Sequence, residues 1–154
     1  MSELFDYRTI VVGTDGSELA GPTVARAARL AARDNADLVT VCAYSALTRR
    51  QEASNTATTG GDSRAGQVLG HSSGIAALDT ATTTARRLNA NLTGTLLIDG
   101  EPAEALLQTA DEYDADLIVI GALRDVSIAD RLLGTVARVI VRRAPCDVLI
   151  VRPR

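Results

Sequence analysis

The stretch GALRDVSIADRLLGTV, from Gly121 to Val136, leaves an apolar run, DLIVIG, and ends on Gly134, Thr135 and Val136. A strand, a loop and a helix start in that order can cradle phosphate. The first N–H groups of a helix have no intrahelical partner, and the helix dipole puts positive charge beside them. The Thr135 hydroxyl adds a side-chain donor. Simple helix starts share these features, so that alternative stands beside the anion site. Earlier in the chain, TIVVGTDGSE sets Gly13, Thr14 and Asp15 directly behind another apolar run. The Asp15 carboxylate can accept from ribose hydroxyls or hold a metal ion, or it can close a turn by bonding its own backbone.

The chemistry open to the chain is narrowed by what it lacks. Its 16 basic residues are all arginine. A P-loop needs a lysine near the phosphates and a Schiff base needs an amine, so neither can be built. The single histidine, His71, stands in a Gly/Ser-rich stretch without a motif and reads as solvated. Cys42 and Cys146 each border an apolar run, which predicts two buried thiols in a reducing cytosol. No Cys/His cluster suggests a metal centre. A formal charge of -3 gives no general attraction to nucleic acid or acidic membranes. No run reaches the ~18 apolar residues of a membrane span, and the N-terminal residues lack the basic and apolar regions of a secretory signal.

The elements that must position these residues follow from the apolar pattern. Aromatics are only 3% of the 154 residues, so the core is Val, Leu, Ile and Ala. Five runs read as strands: Thr9 to Gly13, Leu38 to Tyr44, Thr93 to Asp99, Asp116 to Gly121 and Asp147 to Arg152. Most are apolar at successive positions, the pattern of strands covered on both faces. Helical stripes separate them. Val24, Ala27, Ala28, Leu30 and Ala31 form one, starting at Gly21-Pro22 or from a Ser17 cap. Ile75, Leu78, Thr82, Ala85 and Leu88 form the second. GEPAEALLQTADEY opens the third with an early proline, and GTVARVIVRRAP is the fourth, stopped at Pro145. The polar segment at about 46–73 reads as a long mobile loop.

Strands and helices alternating in this way predict an α/β fold: a doubly wound, open, five-stranded parallel sheet with helices on both faces. Ligands of such sheets bind at the carboxyl ends of the strands where the strand order reverses. The ends of the first and fourth strands, at Gly13 and Gly121, fit that position.

The stretches TIVVGTDGSE, ADLIVIG, LLGTV and RRAPCDVLIVR, in this order, resemble the universal stress protein family in its single-domain form. The resemblance covers nearly the whole chain outside the segment from Thr48 to Ser73. It implies one domain over residues 1–154 with an adenine nucleotide α-hydrolase-like fold, a homodimer, and a stress-response role in the cytoplasm. In the family's ATP-binding branch a glycine is followed after two residues by a second, and nine residues later by glycine and Ser/Thr. Here Gly121, Gly134 and Thr135 keep that spacing, and Arg124 replaces the second glycine. By the resemblance, adenine lies near Val41 and Ala43, ribose near Asp15, and phosphate between Gly121 and Gly134-Thr135-Val136, with Gly13 and Thr14 beside them. The ligand it implies is ATP, AMP or cyclic AMP, with Mg2+ accompanying ATP.

Arginine at position 124 resists the left-handed backbone that glycine allows, at roughly 1–2 kcal/mol. Its bulk can fill the triphosphate space, or its guanidinium can grip a phosphate directly, with Asp125 competing for it. A regulatory nucleotide-binding dimer is one expectation, and a dimeric module that has lost nucleotide binding is the other. The adenylating enzymes of the wider fold group carry an SGGxDS-type loop after the first strand, and GTDGSE is not that loop, so the reading is of a non-enzyme. The final run, Val148 to Val151, is uninterrupted by charge and reads as an edge strand that pairs with a second copy. Cover by the segment Met1 to Tyr7 is the competing arrangement. Arg138, Arg142, Arg143, Arg152 and Arg154 are scattered without an aromatic platform, which argues against nucleic acid. A further protein partner is expected but not identified by any motif.

Overall fold

The computed structural model describes residues 6–45, 68–122 and 134–152, with the backbone alone at residue 69. The elements are strand β1 (Thr9–Gly13), helix α1 (Ala20–Asp34), strands β2 (Asp37–Ser45) and β3 (Val68–Leu69), helix α2 (His71–Arg87), strand β4 (Asn91–Asp99), helix α3 (Pro102–Glu112), strand β5 (Leu117–Gly121), helix α4 (Thr135–Arg143) and strand β6 (Asp147–Val151). Every strand pairing is parallel. The long strands lie in the order β4-β2-β1-β5-β6, so the expected doubly wound α/β sheet is present and its order reverses on either side of β1.

Both faces are covered because the apolar runs are apolar at successive positions. Val11, Val39, Val41, Ala43, Ile118 and Ile120 point to one face and pack under α3 and α4 through Leu106, Ala110, Ala137 and Ile140. Ile10, Val12, Leu38, Leu117 and Val119 point to the other and pack under α1 and α2 through Val24, Ala27, Ala28, Ala81 and Ala85. Small residues on the helices bring their backbones close to the sheet, which suits a chain poor in aromatics.

Four expectations need correction. Helix α1 starts at Ala20, with Leu19 as its N-cap, rather than at Gly21-Pro22 or Ser17. Pro22 then falls in the first turn, where its missing N–H costs no intrahelical bond. Segment 46–73 is not loop throughout: its end forms β3 and the start of α2, while residues 46–67 lie outside the described residues. Helix α2 buries Gly74, Ala77, Leu78, Ala81 and Ala85, so Ile75, expected on the buried stripe, is 42% exposed. Cys42 is buried as expected, but Cys146 is only partly buried.

Candidate functional site

The carboxyl ends of β1 and β5 are adjacent, because Ile10 to Val12 pair with Leu117 to Val119. This brings Gly13, Thr14 and Asp15 beside Gly121 at the point where the strand order reverses, the position at which open α/β sheets bind ligands. Gly121 is favoured by packing. A Cβ there would stand 3.0 Å from Thr23 Oγ1 and 3.1 Å from Leu19 Cδ2, at the start of α1. The close approach of α1 to the end of β5 therefore depends on the missing side chain.

Thr14 is buried, and its N–H donates to the Val41 carbonyl at 2.9 Å, which carries the β1–β2 ladder one residue past β1. The chain then turns. The Ser17 N–H donates to Asp15 Oδ1 at 2.9 Å, so Asp15 does close a turn on its own backbone. A carboxylate has further lone pairs, so this bond leaves acceptor capacity for a ribose hydroxyl. Gly16 carries φ 75 and sits against Ala77 of α2, which fixes a left-handed residue in the turn. Burial, and then the negative charge of Asp15, push the Cys42 thiol up to about 11. Cys42 is thus a buried core thiol whose ionised form is disfavoured.

Val41 and Ala43 are buried on the α3 face, in one cluster with Ala103 and Leu106. Val136 packs against that same cluster, so the first turn of α4 lies on the face that Val41 and Ala43 occupy. Gly134 is the N-cap of α4 with an extended backbone, and the first bond of the helix runs from the Arg138 N–H to the Gly134 carbonyl at 3.0 Å. The N–H groups of Thr135, Val136 and Ala137 therefore have no acceptor within the helix, which is what an anion requires. An ion pair between Arg143 and Glu104 ties the far end of α4 to α3. Each partner shifts the other, the Glu104 carboxyl downward and the Arg143 guanidinium upward. Arg124 and Asp125 lie outside the described residues.

His71 is exposed at the first residue of α2, and its ring meets Tyr44 edge-on at 5.4 Å. The feature that the sequence did not disclose is β3. Its two residues pair with Tyr44 and Ser45 at the end of β2. The only hint in the sequence is the Val-Leu-Gly triplet at the close of a polar segment.

The sequence profile described as the universal stress protein family matches residues 6–152. A universal stress protein of Mycobacterium tuberculosis is 39% identical over 145 residues, covering 94% of this chain and 96% of the relative. Among solved structures, a universal stress protein in complex with cAMP has a TM-score of 0.71 at 33% identity, covering 97% of this chain and 100% of that one. A universal stress protein from Archaeoglobus fulgidus in complex with dAMP has a TM-score of 0.64 at 24% identity, with coverage of 95% and 98%, a likeness of fold alone. By profile and by identity along its length, the chain belongs to the universal stress protein family.

Proposed function

We propose that this protein is an adenine-nucleotide-binding stress-response module that acts as a homodimer and regulates rather than catalyses. The observation that carries the reading is the crevice at the strand-order reversal, with Asp15 on one side and the open N–H groups of α4 on the other. A structure 33% identical to this chain, described as a complex with cAMP, supports an adenine ligand. The base is assigned to the side of Val41 and Ala43, the ribose to Asp15, and the phosphate to Gly121, Gly134, Thr135 and Val136, with Gly13 and Thr14 as the floor. With no lysine in the chain, AMP or cyclic AMP suits the crevice better than ATP, and Mg2+ would accompany only the triphosphate. The GTDGSE loop after β1, which is not the SGGxDS-type loop of the adenylating enzymes, and the lack of lysine support the non-enzymatic reading. The chain is taken to act as one cytoplasmic domain, with neither nucleic acid nor membrane as a partner. No helix among the described residues is long and apolar enough to cross a membrane.

Strand β6 supports the dimer. It pairs with β5 alone among the described residues. On its α1 side runs a groove of about 500 Å³ lined by Tyr7, Arg26, Leu30 and Leu149, with Asp147 at its foot. The Tyr7 hydroxyl donates to Asp147 Oδ2 at 3.0 Å, at the start of β6. A second copy joining antiparallel at β6 would continue the sheet and border this groove.

Titration calorimetry with ATP, ADP, AMP and cyclic AMP tests nucleotide binding. Heat of binding is expected for AMP and cyclic AMP, with a melting shift that grows with ligand concentration, about 2.7 kcal/mol of stabilisation at 100 times Kd. Neither heat nor shift at millimolar ligand would leave the dimeric module without a nucleotide, with Arg124 filling the phosphate space.

A further inference from the structure

Helix α1 packs chiefly on β1 and β5 and meets β6 only at its margin. The face of β6 on that side is therefore half covered, and the groove described above runs along it. Leu149 of β6 and Leu30 of α1 are partly buried there, beside the buried Leu117. Arg33, Leu30 and Arg26 follow one another along the helical flank of the groove, at intervals of three and four residues that keep them on one side of α1. Apolar surface left half covered at the margin of a sheet is stabilised by an apolar group laid over it.

The polar groups of the groove select what can lie in it. Asp147, at its foot, already accepts from the Tyr7 hydroxyl. Arg33 is paired with Asp34. Arg26, exposed at the far end, makes no hydrogen bond or ion pair among the described residues. An apolar group followed by a carboxylate complements this arrangement. The chain carries such a group next to the groove. The Tyr7 N–H donates to Asp34 Oδ2 at 3.0 Å, so the residues before Tyr7 approach from the Arg33 end. The Arg33 guanidinium is held above its ordinary value by the bond to Asp34 first, and by the charge of Asp6 as well, which puts Asp6 beside the same rim.

The spacing of the two segments agrees. Along α1, Leu30 stands about 4.5 Å and Arg26 about 10.5 Å from Arg33, at roughly 1.5 Å per residue. An extended chain advances about 3.3 Å per residue, so from Asp6 it puts Phe5 at about 3 Å, Leu4 at about 7 Å and Glu3 at about 10 Å. Side chains of an extended segment alternate, so Phe5 and Glu3 share one side, and Leu4 and Asp6 the other. Asp6 is exposed, which leaves the side of Phe5 and Glu3 for the groove. We propose that residues 3–5 of this chain fill the groove, with the Phe5 ring between Leu30 and Leu149 and the Glu3 carboxylate on Arg26. The segment then covers the α1-side face of β6 and leaves the backbone edge of that strand to the second copy. The proposal stands apart from the nucleotide reading, and neither depends on the other.

The sequence supplies its own probe, because the chain has a single phenylalanine. Ring-labelled Phe therefore gives one set of ring resonances, all from Phe5. In the wild type, nuclear Overhauser contacts are expected from this ring to the methyl groups of Leu30 and Leu149. A ring without those contacts overturns the proposal. A sample mixed from ring-labelled and methyl-labelled chains separates the sources: contacts that arise only between copies put a second copy in the groove and overturn the proposal as well. Thermal melts of Phe5→Ala, Leu30→Ala and the double variant give an independent reading. Phe5→Ala is expected to lower the melting temperature by about 5 °C in the wild type and by less than half as much in Leu30→Ala, since the two side chains share one contact. No lowering, or an equal lowering in both backgrounds, overturns the seat of Phe5. Glu3→Arg is expected to lower the melting temperature by about 2 °C and Arg26→Glu in the same chain to restore it, and a failure to restore it overturns the ion pair.

Discussion

A side chain at Gly121 would be tightly crowded, and the atoms that crowd it are a hydroxyl and a leucine tip at the head of α1. Gly121→Ala must push Leu19 and Thr23 outward, and overpacking of this kind costs about 1–3 kcal/mol. Urea unfolding is expected to give a free energy of unfolding lowered by that amount, with a lower midpoint and an unchanged slope, and an unchanged midpoint would show that α1 yields freely. The two thiols should separate as clearly. Cys42 is fully buried and raised to about 11, whereas Cys146 is partly buried. A disulfide reagent at pH 8 is expected to count one fast thiol, Cys146, and to reach Cys42 only after unfolding. Because the Cys42 thiol is raised in the folded state from an ordinary 9.0, the stability it carries is complete below pH 9 and is lost as the pH climbs towards 11. Denaturant melts across that window, compared with those of Cys42→Ala, check the sign: the wild type should lose more stability than the variant. The glycine at 121 was legible as the place where the chain leaves the sheet, and its crowding by Thr23 and Leu19 gives the reason for its type, whereas Gly134 has an ordinary φ of -57 and shows no such need. The role of Asp15 was not legible, because a turn-closing carboxylate and a ribose-binding one occupy the same position in the sequence, and only the bond to Ser17 shows that the turn is formed.

Among the elements, the five long strands could be read from continuous apolar runs, because two-sided burial leaves a strong signal. Strand β3 could not: two residues give no period, and its pairing depends on the end of β2 running past β1. The buried stripe of α2 was misplaced for a related reason. Ile75 is the bulkiest residue of that turn, yet the helix lies so close to β4 that Gly74 is chosen instead, and a Cβ there would come within 2.4 Å of Leu97 Cδ1. Strand β6 offers a test of its own. The N–H of Asp147 donates to the Asp116 carbonyl, and the Val151 carbonyl accepts from Ala122. Odd positions of β6 therefore face β5, and Val148 and Ile150 turn their backbone groups to the open edge. Ile150→Pro removes an outward donor and should abolish dimerisation with the fold kept, as read by light scattering and circular dichroism. Leu149→Pro breaks the ladder to β5 and should unfold the edge itself. A monomer mass for the wild type at tens of micromolar would overturn the dimer whatever the variants do.

At the scale of the whole molecule, the apolar pattern and the alternation of elements were enough to give the fold class, while the strand order needed the structure, since no local signal says which side of β1 receives β5. That order has a consequence for how the molecule comes together. β1 meets β2 early in the chain, at Ile10 and Leu38, but its other flank stays bare until Leu117 has been made. Parallel strands cannot form hairpins, so every closure here waits on a crossover, and that of β1 on β5 spans most of the sequence. A nascent chain therefore carries β1 half-clothed until β5 has been made. The crevice does not exist until the late half docks on the early one. A nucleotide that touches Asp15 and Thr135 together would then act as a clasp between the two halves, so its presence would be felt first in how long the newly closed molecule stays shut.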